Sequence, residues 1–203
     1  MIRSLIGPHS TLMMDANQIW DVKDALERMR ELQVYQPLWI EEPTSPDDVM
    51  GHAHISQELR QYNIGVATGE MCQNRVTFKQ FLKQHAMQFC QIDSCRVGGV
   101  SEVLAVMVLA RKFGVPVCPH GGGVGLCELV RHYSFIDYIL LSGSVENRVC
   151  EYAEHLHDHF TDPAEIKAAR YVLPYRPGFS CEMKGESLQI FRYPDGEYWS
   201  NQD

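Results

Sequence analysis

Short apolar runs alternate with longer amphipathic stretches along most of this chain, which predicts strands each followed by a helix, and so a parallel sheet. Strands are expected at residues 11–15, 38–41, 65–68, 89–92 and 115–118, with a last one ending near Glu151. Helices are expected at 21–34, 46–59, 75–84, 100–113 and 125–137. Asp21 suits the N-cap of the first, which places Ala25, Leu26, Met29 and Leu32 on one buried face. In the fourth, Val103, Val106, Met107 and Ala110 recur at the same spacing. From residue 161 onward Pro163, Pro174, Pro177 and Pro194 break the chain into short pieces with no helical period, apart from a turn at 163–170. We therefore divide the chain into a body, 1–160, and a C-terminal segment, 161–203, that wraps the same domain. No repeat, low-complexity segment or linker interrupts it.

Each apolar run stops at an ionisable residue: Asp15, Glu41, Glu70, Asp93, His120 and Glu151, at intervals of 26, 29, 23, 27 and 31 residues. Those intervals are close to the length of one strand–helix unit. In a parallel barrel the strand C-termini open onto one face, so these side chains are expected to converge. Even a neutral polar group costs about 2–7 kcal/mol to bury without a partner, and a divalent cation relieves that cost for three carboxylates held together. Asp15, Glu41 and Glu70 end consecutive strands. Their hard oxygen donors, with no Cys or His beside them, favour Mg2+ over zinc. Asp93 and His120 follow on the next two strands, where a carboxylate can fix the tautomer of an imidazole that accepts and returns protons. Glu151 is placed to donate a hydrogen bond or proton from the far side. Such an assembly suits abstraction of a proton α to a carboxylate, because a cation offsets the charge of the enediolate that forms.

Composition narrows the partners. The 203 residues carry a net charge of −8, which argues against nucleic acid, since phosphate binding needs a basic face. No apolar run is long enough to span a membrane. The N-terminus lacks the apolar core of a signal peptide. The seven cysteines have no C-x-x-C spacing, so neither a zinc framework nor disulfides are expected, and a reducing, intracellular compartment is. Cys72 and Cys127 are read as core residues, because no cationic neighbour is evident to form a thiolate. The glycines at 121–123 are read as a flexible loop beside His120, as no Lys-Ser or Lys-Thr follows to complete a phosphate loop. His155, His157 and His159 are read as a solvated turn or helix start.

The stretches DANQ (15–18), WIEEPTSPDD (39–48), ATGE (67–70), IDSCRVGGV (92–100) and VPVCPHGGGVGLCE (115–128) resemble the enolase superfamily, in its mandelate-racemase-like branch. TGEMCQNR, CEYAEHLHDHF and the closing YPDGEYW bring the likeness nearest to L-fuconate dehydratases and the related animal mitochondrial members. The resemblance implies Mg2+ on Asp15, Glu41 and Glu70, substrate contact by Asn17, His120 as acid/base, Asp93 as its partner, and Glu151 as a substrate or intermediate contact. Glu42 is expected behind the metal ligands. The implied activity is a Mg2+-dependent hydro-lyase reaction converting L-fuconate to 2-keto-3-deoxy-L-fuconate, with an acid-sugar epimerase or racemase as the alternative. The implied partner is a small-molecule acid sugar, homo-oligomerisation is left open, and the compartment by resemblance is mitochondrial, with the cytoplasm as the alternative.

One departure weighs on this reading. The family carries a Lys-x-Lys motif on its second barrel strand, whereas only fourteen residues precede Asp15, and Lys23, Lys79, Lys83, Lys112, Lys167 and Lys184 all fall in expected helices or the tail. The fold expected is thus α/β, a partial TIM-type (β/α) barrel comprising strands three to eight, without the N-terminal capping domain and the first two barrel strands. A truncated, non-catalytic isoform that acts by binding partners is the remaining alternative.

Overall fold

The computed structural model describes residues 1–154 and 156–200. It falls into two compact units, one of residues 1–118 with 144–149, the other of 119–143 with 150 onward.

In the first unit a short helix α1 (Ile2–Ile6) precedes four strand–helix units: β1 (Met14–Asp15) and α2 (Val22–Leu32), β2 (Trp39–Glu41) and α3 (Val49–Leu59), β3 (Gly65–Thr68) and α4 (Arg75–Lys83), β4 (Phe89–Cys90) and α5 (Val100–Phe113). The strands form one parallel sheet in the order β1-β2-β3-β4. Helix ends follow local chemistry. The Asp21 carboxylate accepts from the Asp24 amide at 2.8 Å and that of Asp48 from the Gly51 amide at 2.7 Å. The Asn74 side chain accepts from Val76 and Thr77. Each such cap is worth about 1 kcal/mol. Gly114, at φ 71°, closes α5 in the left-handed conformation.

Alternation along the strands gives the sheet two different faces. One face sends Ile40 and Val66 against Ala25, Leu26 and Met29 of α2 and Ile55 and Leu59 of α3. The other gathers Met13, Trp39, Ala67, Phe89 and Cys118 into a separate cluster. Asp15 and Glu41 stand two residues beyond Met13 and Trp39, so strand parity puts their side chains on this second face. Of the helix faces expected from spacing, Ala25, Leu26 and Met29, and Val103, Val106, Met107 and Ala110, are buried, while Leu32, at the end of α2, is only half-buried against the same cluster.

The fifth expected strand is reduced to one parallel bridge, Cys90 with Val117. Pro116 has no amide to donate; its carbonyl accepts from Cys90, and Cys118 donates back to the Cys90 carbonyl. The strand expected to end near Glu151 does not form among the described residues. There the Glu151 carbonyl accepts a hydrogen bond from the Tyr171 hydroxyl at 2.7 Å, and no neighbouring strand takes it.

The second unit is built on α6 (Leu126–Ile136), which runs on into a wider π-type stretch, Asp137–Ser142. The turn expected at 163–170 is a hairpin of β5 (Ile166–Lys167) and β6 (Arg170–Tyr171). Its two-residue loop, Ala168–Ala169, has both φ angles positive, 49° and 57°, the type I′ geometry that Asn-Gly usually supplies. The helices α7 (Gly185–Phe191) and α8 (Glu197–Ser200) also interrupt a tail expected to be without helix. All seven cysteines are free thiols, and no helix among the described residues is long and apolar enough to cross a membrane.

His52 lies fully buried on α3, edge-on to Phe81 at 5.2 Å. Its Nδ1 faces the Asp48 carbonyl at 2.9 Å, and its Nε2 has no hydrogen-bond partner among the described residues. Burial pushes its pKa below the ordinary histidine value, against the raising effect of Asp48. The folded state therefore binds fewer protons than the unfolded one, so stability is full above the unfolded pKa of about 6.5 and falls as pH drops below it. The steepest contribution from one group is about 1.4 kcal/mol per pH unit. Replacing His52 with leucine is expected to flatten the urea midpoint between pH 6.5 and 5; an unchanged slope would place the acid sensitivity elsewhere.

Candidate metal and acid/base sites

In the first unit β1 and β2 pair in register, with Asp15 opposite Glu41, and Glu41 opposite Ala67 of β3. Neighbouring strands stand about 4.8 Å apart, so two carboxylates begin side by side. Each is braced by its own strand end. Asp15 accepts from the Asn17 amide and from Asn17 Nδ2, both at 2.8 Å. Glu41 accepts from Trp39 Nε1 at 3.2 Å, a pairing that two-residue alternation permits. Asn17, expected to contact substrate, thus holds Asp15 in this structure.

Glu70 follows Gly69, whose φ of 133° few side chains adopt. A Cβ there would stand 2.8 Å from both the Gln91 carbonyl and the Phe78 ring, so glycine lets the chain turn Glu70 out of β3. Arg96 then reaches it: Nη1 donates to Glu70 Oε1 at 2.7 Å and lies 3.5 Å from Asp93 Oδ2. Asp93 also accepts from the Cys95 amide at 2.7 Å.

Behind these groups lies Glu42, only 1 % exposed and held at φ 38°. Non-glycine residues in the left-handed region concentrate at functional sites, and Asn17 and Gln18 at the end of β1 share it. Gln18 Nε2 donates to Glu42 Oε2 at 2.5 Å, while Oε1 has no partner among the described residues. The Glu42 carboxyl is pushed above the ordinary glutamate range, first by burial and then by the negative charges of Glu70 and Asp15, against the Gln18 hydrogen bond.

Donor chemistry and placement here suit a hard divalent cation: oxygen ligands only, two of them in register, and an unsatisfied buried carboxylate oxygen next to them. Among the described residues no three His, Cys, Asp or Glu side chains are gathered closely enough to enclose an ion; Asn17, Trp39 and Arg96 hold the carboxylates instead.

In the second unit the His120 side chain is 12 % exposed, with Nε2 3.8 Å from Glu151 Oε2. Glu151 is fixed by the Gly121 amide, which donates to Oε2 at 2.7 Å. The glycine run is not a loose loop, as expected, but a close-packed one. A Cβ on Gly121 would stand 2.8 Å from the Glu151 carbonyl, and one on Gly122 2.8 Å from His120 Nε2. Neither position has room for a side chain, so close approach is the reason for the glycines.

Sequence reasoning missed the ties between α6 and the following segment. Glu128, fully buried, pairs with His157 Nδ1 at 2.5 Å and accepts from the Ala164 amide at 3.1 Å. Arg131, one turn on, reaches Asp162 Oδ2 at 2.7 Å and the carbonyls of Asp162 and Pro163. Two opposite charges at i, i+3 within an otherwise apolar helix were the available signal. His157–His159 form a short helical turn, one of the two expected forms, but both histidines are half-buried, His157 on Glu128 and His159 on Ser187; His155 lies outside the described residues. The thiol of Cys72 is pushed up to about 12, by burial first and by Glu42 and Asp47 after it, which agrees with a packing role.

Residues 1–187 match the family model described as "Enolase C-terminal domain-like". The chain is 60% identical over 199 residues to mitochondrial enolase superfamily member 1 of Homo sapiens. It is 54% identical over 185 residues to L-galactonate dehydratase of Hypocrea jecorina, covering 91% of this chain and 41% of that protein. The crystal structure of the human protein superposes with a TM-score of 0.95 over 98% of this chain. That of L-talarate dehydratase from Polaromonas sp. JS666, complexed with Mg and L-glucarate, gives 0.78 at 29% identity, over 91% of this chain and 48% of that one. The chain spans about 45% of the length of the human relative.

Proposed function

This chain belongs to the enolase superfamily, and on that footing we propose that it supplies the metal-binding and proton-transfer residues of a Mg2+-dependent sugar-acid dehydratase. The reading is carried by Asp15 and Glu41, in register on neighbouring strands, with Glu70 following the next strand. It is supported by relatives named as dehydratases of L-galactonate and L-talarate/galactarate, and by neighbours crystallised with magnesium.

In this proposal Asp15, Glu41 and Glu70 hold the cation. When bound, it offsets the charge that develops on the substrate carboxylate as the α-proton leaves. Asn17 braces Asp15 and meets substrate. His120 is the acid/base, taking or returning a proton at its imidazole and delivering one to the departing β-hydroxyl, with Asp93 as its partner carboxylate. Glu151, held by the Gly121 amide, offers a hydrogen bond to the substrate or intermediate. L-fuconate is the first substrate candidate and L-galactonate the second, since both carry a hydroxyl β to the acidic carbon. A mitochondrial location follows the names of the relatives.

The test is incubation with Mg2+ and each sugar acid in deuterated water, using this chain and any longer form its transcript encodes. A 2-keto-3-deoxy acid is the expected product. Deuterium at C2 with the β-hydroxyl retained would mark an epimerase or racemase. Neither product nor exchange in any form of the chain would overturn the enzymatic reading and leave the partner-binding isoform.

A further inference from the structure

Arg96 follows Asp93 in the turn beyond β4, part-exposed, with its guanidinium directed into the acidic cluster. Nη1 alone meets Glu70 Oε1 at 2.7 Å, the Glu70 carbonyl at 3.3 Å and Asp93 Oδ2 at 3.5 Å. The side chain of Asp93 is 3% exposed and that of Glu70 16%. Both carboxylates are thus mostly withdrawn from water, where a single positive charge counts for more than on an open surface. Glu42 lies within the electrostatic reach of the same guanidinium, and its Oε1 is buried without a partner among the described residues. One cation therefore bridges two acidic side chains, of which Glu70 is proposed above to ligate Mg2+ and Asp93 to serve His120.

We propose that Arg96 is a positioning residue which acts as a resident counter-charge: it holds Glu70 and Asp93 together in the metal-free protein and competes with a divalent cation for Glu70. The inference rests on the metal assignment made above and extends it. A guanidinium bonded to a ligand carboxylate both occupies that oxygen and repels an incoming ion, so its presence weakens metal affinity and, by linkage, the metal weakens its hold on Glu70. The arrangement keeps the carboxylates from repelling one another before loading, and it sets Mg2+ affinity below what the carboxylates alone would give.

The experiment is calorimetric titration of this chain with Mg2+ alone, for the wild type, R96Q and R96K, together with melting curves in chelator and in Mg2+. R96Q is expected to bind Mg2+ about tenfold more tightly, within the usual range of coupling between two sites. It is also expected to melt lower than wild type in chelator, and to gain more from Mg2+. R96K, which keeps the charge, is expected to stay near the wild-type affinity, a rescue that loss of packing would not produce. Should R96Q not fold in chelator, R96K and refolding in Mg2+ carry the same comparison. Wild-type binding with equal or weaker binding by R96Q would overturn the role of Arg96 and leave the metal assignment standing. Failure of all three proteins to bind Mg2+ would overturn both.

Discussion

Replacing His120 with asparagine is expected to lower formation of the 2-keto-3-deoxy acid by about 100- to 10,000-fold, the usual contribution of a positioned general acid/base. Asparagine keeps a polar side chain of similar reach but cannot take up a proton near neutral pH. The surroundings make the substitution clean. The His120 side chain is only 12 % exposed, Gly122 leaves room at its Nε2, and Glu151, 3.8 Å away, is also held by the Gly121 amide at 2.7 Å. The candidate ligands Asp15, Glu41 and Glu70 are untouched, so Mg2+ affinity should be preserved while turnover is lost. Turnover undiminished in the variant would remove His120 from the reaction. Turnover lost together with Mg2+ binding would mean that the change had disturbed the metal residues instead.

The second large effect is structural. Glu128→Ala is expected to destabilise the protein by about 1–3 kcal/mol, the usual cost of leaving buried hydrogen-bonding groups without their partner. His157 makes the pairing asymmetric: Nδ1 faces the Glu128 carboxylate at 2.5 Å and Nε2 faces the Ala153 carbonyl at 3.0 Å. Glu128 and the Ala153 carbonyl thus hold the ring from both sides. Removing Glu128 would leave one ring nitrogen of His157 and the Ala164 amide without the partner they have now. Because Arg131 ties Asp162 from the next turn of α6, the two losses should be strongly non-additive when combined. Urea denaturation of Glu128→Ala, Asp162→Ala and the double variant measures this. A change below about 1 kcal/mol in the first variant would place the pair among dispensable contacts.

Much of the fold was legible because its signals are local. A period of 3.6 marks α2 and α5 and identifies most of their buried faces, and Asp21 marks the cap of α2. Elements failed where local preference was weak or overruled. The Ala168–Ala169 turn carries no residue that favours positive φ, so nothing announced the hairpin it closes. Val117 sits in a run that reads as strand, yet Pro116 cannot donate, and only a bridge remains. Around Glu151 the expected strand does not form among the described residues, and the side chain meets the Gly121 amide from irregular backbone.

The candidate metal residues were readable for a different reason. Strand length and unit length repeat, so an acid at each strand end is a regular feature of the linear chain: Asp15 and Glu41 end β1 and β2, and Glu70 follows shortly after β3. Their braces were not readable. That Asn17 grips Asp15, that Arg96 spans Glu70 and Asp93, and that Gly121 and Gly122 make way for Glu151 and His120 depend on approach in space.

What the linear chain determined by itself is the kind and order of its elements and the residue types that end its strands, since hydrophobic period and capping chemistry act between near neighbours. Only the tertiary structure decided which charges meet. Glu128 with His157, and Arg96 with Glu70, are separated by 29 and 26 residues, and at such distances a pairing is chosen by the path of the backbone and by the cost of leaving a buried charge alone.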